Sequence, residues 1–202
     1  MVKILMKPYL ANPKLSKTQI KTLESALSLF VDKGFFNTSI PDLVEHSGVS
    51  TGSIYHAFKD KQSIAEALMK TLLEQINREQ QEILANNKDS WNRFYELSKW
   101  MINTADQHPQ VMRFIFSAQH KEFMPELPPI CSSQPFLTLR KVIQQGMDEG
   151  VLIKMNLMVA ASSSFGGVMR LIQLGLDNML DNPLPSYLDS ITKTCWRSIA
   201  QQ

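Results

Sequence analysis

The sequence predicts an all-α protein: a three-helix N-terminal domain containing a helix-turn-helix, followed by a larger helical domain, about nine helices in total. Three observations lead there. Apolar residues recur at three- and four-residue spacing along almost the whole chain, and no run alternates with period two between turn residues. Ser, Thr, Asp and Pro open these periodic stretches and Gly closes them. The 202 residues are 44% hydrophobic, enough for one larger core or for a small domain beside a medium one.

The first helix begins near Ser16, which with Gln19 forms a capping box: each side chain satisfies a free backbone N–H of the first turn. Ile20, Leu23, Leu27, Phe30 and Val31 follow one face, and Gly34 is the stop. The second helix is short, capped by Thr38 or Ser39, with Pro41 in its first turn and its end at Gly48. Ser50 caps a third short helix through about Ala57. Asp60 caps a long fourth helix to about Leu84, with Ile64, Leu68, Leu72 and Ile76 on its apolar face. After a break at 86–90, helices are expected over about 91–105, from Pro109, over 133–149, over 156–180 and over 185–200. Pro125, Pro128 and Pro129 make the intervening stretch a loop. The domain boundary is placed at 62/63, giving an N-terminal domain (1–62, with residues 1–15 a mobile tail) and a C-terminal domain (63–202).

The net charge of +2 is unevenly spread. Up to Lys61 there are eight Lys against five acidic residues, and the first 21 residues hold five Lys and no acid. A basic tip suits a polyanion, and equally a solubilising tail. Cys131 and Cys195 make no disulfide framework and read as free thiols of a reducing compartment, with a redox switch as the alternative. Lys3, Lys7 and Pro8 break any leader-like apolar run. The apolar region 157–180 is interrupted by Ser162, Ser163, Ser164, Gly166, Gly167, Arg170 and Asp177 and reads as a buried helix, not a membrane span, so a cytoplasmic location is expected. No nucleophile elbow, phosphate loop, zinc spacing or paired carboxylates point to an enzyme, and no metal or cofactor is assigned.

Two capped helices joined by Gly48-Val49-Ser50 form a helix-turn-helix. Such a third helix fits a DNA major groove, its N-terminal residues toward base edges and nearby helix N-termini toward phosphates. Residues 17–68 resemble the DNA-binding domain of the TetR family in Ala26, Leu29, Phe30, Gly34-Phe35, Thr38-Ser39-Ile40, Asp42-Leu43, Gly48-Val49-Ser50, Gly52-Ser53-Ile54-Tyr55, Phe58, Lys59, Lys61 and Ile64. The resemblance covers about a quarter of the chain. It implies that Thr38 and Ser39 touch phosphate at the start of the second helix. It also implies that Thr51, Gly52 and Ser53 face bases or backbone, and that Tyr55 and Lys61 bond phosphate. Ser50, His56 and Lys59 complete the expected DNA-facing set. Ser39, Ser50 and Asp60 are helix caps with or without DNA, and Ile54 and Phe58 read as core. Two departures from the family pattern, Thr51 in place of a frequent Lys and Ala57 in place of a frequent His, bear on which operator is read.

The C-terminal domain is expected to bind an effector and to dimerise. Its Met and aromatic residues suit either ordinary packing or a pocket for apolar molecules. Phe94, Met101, Phe116, Phe136, Phe165 and Met169 are the candidates, because they fall on the helices that the resemblance assigns to the pocket. Gln173 and Arg140 are polar candidates, or else surface residues. The small residues of 162–167 with Leu171, Leu174, Leu188, Ile191 and Trp196 make the last two helices the expected homodimer surface, although packing within one subunit also explains the small residues. A two-fold dimer predicts a palindromic operator. The expectation is a repressor released from operator DNA by a small, largely apolar molecule. The alternatives are a regulator or organiser controlled by a protein partner and a thiol-sensing regulator.

Overall fold

The computed structural model of the chain describes residues 9–10, 12–117 and 120–201. Among the described residues are ten α-helices. They are α1 (Lys17–Asp32), α2 (Ile40–Ser47), α3 (Thr51–Ala57), α4 (Lys61–Asn86), α5 (Ser90–Gln107), α6 (Pro109–Ser117), α7 (His120–Phe123), α8 (Gln134–Asp148), α9 (Leu157–Leu176) and α10 (Leu188–Arg197). Short 3-10 turns at Ile130–Ser132 and Leu184–Tyr187 precede α8 and α10. The helix absent from the sequence reading is the four-residue α7. Among the described residues, β pairing is limited to one antiparallel bridge between Leu152 and Ala200, flanked by Ile153 N–H to Ile199 carbonyl (2.9 Å) and Gln201 N–H to Val151 carbonyl (3.0 Å).

The helix ends are where local chemistry puts them. Ser16 and Gln19 form the capping box, and α1 closes with Gly34 at φ +84°, a left-handed conformation that costs glycine nothing. Asp89, not anticipated, caps α5 through the N–H of Asn92 at 2.9 Å. The expected helix over 156–180 stops at Leu176, because Asn178 turns left-handed (φ +56°) and the Met179 N–H returns to the Leu174 carbonyl at 2.9 Å. The expected last helix starts as a 3-10 turn and becomes α-helical only at Leu188.

The helices gather into two compact units. The first takes the described residues up to Gln75 and also Arg113–Pro128; the second takes Ile76–Met112 and the described residues from Pro129. This differs from a division at 62/63: α4 is one unbroken helix across that point, and a later segment returns to the first unit. The first unit is built around Leu23, Ala26, Leu43, Ile54, Ile64 and Leu68, each fully buried, with Phe114 and Phe123 from the returning segment buried as well. Tyr9, Leu10 and Asn12, within the stretch expected as a mobile tail, are also buried; residues 1–8 and 11 lie outside the described residues. The second unit has Phe94, Leu97, Met101, Ile102, Ile143, Phe165, Val168 and Ile172 at its centre.

Within the second unit α9 and α10 touch closely. A Cβ on Gly167 would stand 2.5 Å from the Cys195 sulfur, so this glycine serves packing inside the subunit. Gly166 meets only the Ser162 Cβ, at 3.9 Å. Contrary to expectation, α9 is not mainly a buried helix. It is long and apolar enough to cross a membrane by length and composition (mean hydropathy 1.3), and only 28% of that stretch is buried. Met158 and Val159 are more than half exposed. Both cysteines are free, Cys131 exposed and Cys195 buried.

Candidate nucleic-acid interface

The helix-turn-helix is assembled by short-range bonds. The Ser39 hydroxyl accepts from the Asp42 N–H (3.2 Å), and the Asp42 carboxylate accepts from the Ser39 N–H (2.7 Å) and, closer still, from the Ser39 hydroxyl. Gly48 ends α2 at φ +66°, with its N–H bonded to the Val44 carbonyl at 3.0 Å. Ser50 then starts α3 by accepting the Ser53 N–H at 3.2 Å. His46 Nδ1 meets the Ser25 hydroxyl at 3.0 Å and ties α2 to α1. Two side chains anchor α3: Ile54 is fully buried and Phe58 nearly so.

With those two turned in, Ser50, Thr51, Gly52, Ser53, Tyr55, His56 and Lys59 are all exposed. Tyr55, a large ring at 53% exposure, has no reason in the subunit's own packing to be there. Nothing lies within 4 Å of the place a Gly52 Cβ would take, so bare backbone faces outward at the start of α3. An open depression of about 570 Å³ lies between this helix and the start of α1, lined by Ser16, Thr18, Gln19, Gly52, Ser53, His56 and Ala57. The contribution of Ser16, Thr18 and Gln19 was not read from the sequence, where they are legible only as the beginning of a helix. Lys14, Lys17, Lys21 and Lys59 are exposed.

Three residues expected to touch phosphate bond other groups of the protein. Thr38 is 1% exposed, and its hydroxyl donates to the carbonyls of Gly34 (2.9 Å) and Leu29 (3.3 Å). Ser39 is exposed, but its oxygen is engaged by Asp42, whose carboxylate also pairs with Lys33 at 3.0 Å. The Ser39 hydroxyl, then the Ser39 N–H and Lys33, hold the Asp42 carboxyl far below the usual carboxylate range. The N-terminus of α2 thus already carries an anion. Lys61 turns back on the protein. Its ammonium donates to the carbonyls of Phe35 (2.7 Å) and Thr38 (2.6 Å) and stands 4.3 Å from the centre of the Phe35 ring. Desolvation lowers its pKa, and the Asp42 charge opposes that shift. An ammonium has three donors, so this one clasps the α1–α2 connection with two of them.

The effector candidates are distributed over both units. Phe94, Met101, Phe136, Phe165 and Met169 belong to the second unit, and Phe116 to the first. Phe94, Met101 and Phe165 are buried, whereas Phe116, Phe136 and Met169 are half-buried. Phe94 packs edge-on against Phe165 (4.9 Å between ring centres) and lies tilted by 34° against Trp196 (5.3 Å). Arg140 donates to the Cys131 carbonyl at 2.9 Å, and Gln173 accepts from Arg170 at 3.4 Å.

Residues 23–68, the stretch that holds this helix-turn-helix, match the family model described as "Bacterial regulatory proteins, tetR family". This stretch of the chain therefore carries a DNA-binding domain of the TetR type. Among curated relatives, the chain is similar to the HTH-type transcriptional repressor KstR2 of Rhodococcus jostii strain RHA1, 30% identical over 75 residues. That alignment spans 37% of each protein, little more than a third of the relative's length. The fold extends over nearly the whole chain. A TetR family transcription regulator from Marinobacter aquaeolei VT8 superposes with a TM-score of 0.79 at 18% identity, covering 92% of this chain and 96% of that one. FadR from Bacillus subtilis in complex with stearoyl-CoA superposes with a TM-score of 0.77 at 15% identity, covering 89% and 98%.

Proposed function

We propose that this protein is a sequence-specific DNA-binding repressor of transcription of the TetR family. It acts as a homodimer on a palindromic operator and is released when a small, largely apolar molecule binds the second unit. The observation that carries the reading is the exposed face of α3. Thr51, Gly52, Ser53, Tyr55 and His56 project from a short helix that Ile54 and Phe58 hold rigidly. Serine hydroxyls, a tyrosine hydroxyl, bare backbone and flanking lysines are the groups that bond bases and phosphates. The name of the Rhodococcus jostii relative supports repression. Stearoyl-CoA on a FadR of the same fold supports an apolar, acyl-bearing class of effector. The exposed apolar face of α9 supports dimerisation, and a DNA-binding regulator of this kind works in the cytoplasm.

The test is fluorescence anisotropy of the purified protein on its own upstream DNA against a scrambled duplex, over a salt series. We expect tight, sequence-dependent binding that weakens steeply with salt and is lost in Tyr55→Ala. Failure to bind any fragment of a genome-wide pool overturns the reading. The packing of Phe94 against Phe165 and Trp196 favours a second reading, in which the second unit is filled by its own side chains and a protein partner controls release. Acyl-CoA thioesters that leave operator binding unchanged, together with a copurifying protein that relieves it, would select that reading.

A further inference from the structure

The first unit contains a cleft that the DNA-reading role does not use. It lies between the end of α1 with the α1–α2 connection on one side and α6 with α7 on the other, and encloses about 310 Å³. Five phenylalanines line it: Phe30, Phe35, Phe36, Phe114 and Phe123. Phe35 and Phe123 stack face to face, 4.3 Å apart and 13° from parallel. Phe36 stands edge-on to both, 5.4 Å from Phe35 and 6.4 Å from Phe123, and remains 65% exposed. A half-open aromatic corner of this kind is unusual on a protein surface with no ligand or partner to cover it.

We propose that this cleft is a binding site for a neutral, flat aromatic molecule of one or two fused rings. The shape follows from the walls. Faces and edges of phenyl rings at right angles attract another planar ring in stacked and edge-to-face geometry at once, which a puckered saturated ring cannot match. The size follows from the space: roughly 150 Å³ of dry apolar cavity accommodates benzene, and this cleft has about twice that. The neutrality follows from the charges, because Arg113 and Glu122, one of each sign and both already engaged, are the charged residues of the lining. The site also has a mechanical connection. The Phe35 ring that forms its floor lies beneath the Lys61 ammonium, and the same ammonium holds the carbonyls of Phe35 and Thr38 next to the cap of α2.

The experiment is calorimetric titration of the full chain, without DNA, with 2-naphthol and with its fully saturated counterpart. Because no DNA is present, its outcome is independent of the operator reading. 2-Naphthol should bind roughly fivefold or more tightly than the saturated molecule. Phe36→Ala removes the exposed wall and Val31→Trp fills the cleft, and each should weaken 2-naphthol by a similar factor. Val31→Trp carries the test alone if Phe36→Ala melts early. The proposal is overturned by absence of 2-naphthol binding, by binding that both variants leave unchanged, or by equal affinity for the saturated ring.

Discussion

Gly52 sits in the first turn of α3 with open space where a side chain would begin. Alanine is better than glycine in a helix by about 1 kcal/mol, so Gly52→Ala should hold or raise the melting temperature. The added methyl would stand where DNA must approach, and operator affinity should fall about tenfold, equivalent to ~1.4 kcal/mol. Unchanged affinity in anisotropy would remove Gly52 from the interface. A second residue-scale effect concerns acid. Burial lowers the pKa of both His108 and His120; the nearby Glu79 opposes the shift at His108, and the Phe114 carbonyl does so at His120. In the unfolded chain both return to about 6.5. As pH falls through that value the unfolded state takes up protons first, so stability declines on acidification. Thermal melts between about pH 7.5 and 5.5 should show it, and His108→Gln with His120→Gln should flatten the slope. The sequence reveals residues whose partners are close along the chain. Ser16, Ser39, Ser50 and Asp60 cap helices by bonding a backbone N–H three residues on. Lys61 was legible as a cation at a helix start, but its partners lie 26 and 23 residues back, and local pattern contains nothing of them.

The same limit operates on whole elements. Helix α7 has four residues, too few to show periodicity, and besides His120 its Phe123 contacts Phe35 and Phe36, far earlier in the chain. Helices with a cap and two or more apolar turns were legible to within a few residues, because a helix that long declares its own period. The run of small residues in α9 is consistent with dimerisation or with internal packing, and for Gly167 the distance to Cys195 answers in favour of the second. Gly167→Ala should therefore cost about 1–3 kcal/mol by overpacking. Cys195→Ala makes the room, so the double variant should recover most of the loss in a denaturant-unfolding cycle. Additive losses would show that the two positions are not in contact. Gly166→Ala, with no such neighbour, should be close to neutral in the monomer's own packing.

At the scale of the molecule, α9 carries exposed apolar surface, with Met158 and Val159 54% and 56% exposed. If that face is the dimer seam, Met158→Glu with Val159→Glu should halve the mass seen by sedimentation and weaken binding to a full palindrome, leaving α3 unaltered. A mass unchanged by the pair would move the seam elsewhere. The all-helical class and the helix-turn-helix were readable from pattern, whereas the return of residues 113–128 to the first unit was not, since only packing reveals which distant helix a segment joins. The tight seat of Cys195 against Gly167 also gives the protein two chemical clocks. Cys131 is exposed and should consume a maleimide at once, whereas the Cys195 thiol is buried and its pKa is raised by that burial. Alkylation at Cys195 therefore requires α10 to leave α9. Mass spectrometry of a labelling time course would then time the opening of the C-terminal helices against an internal standard in the same chain, and any effector or partner that grips them should slow the second clock while the first runs on.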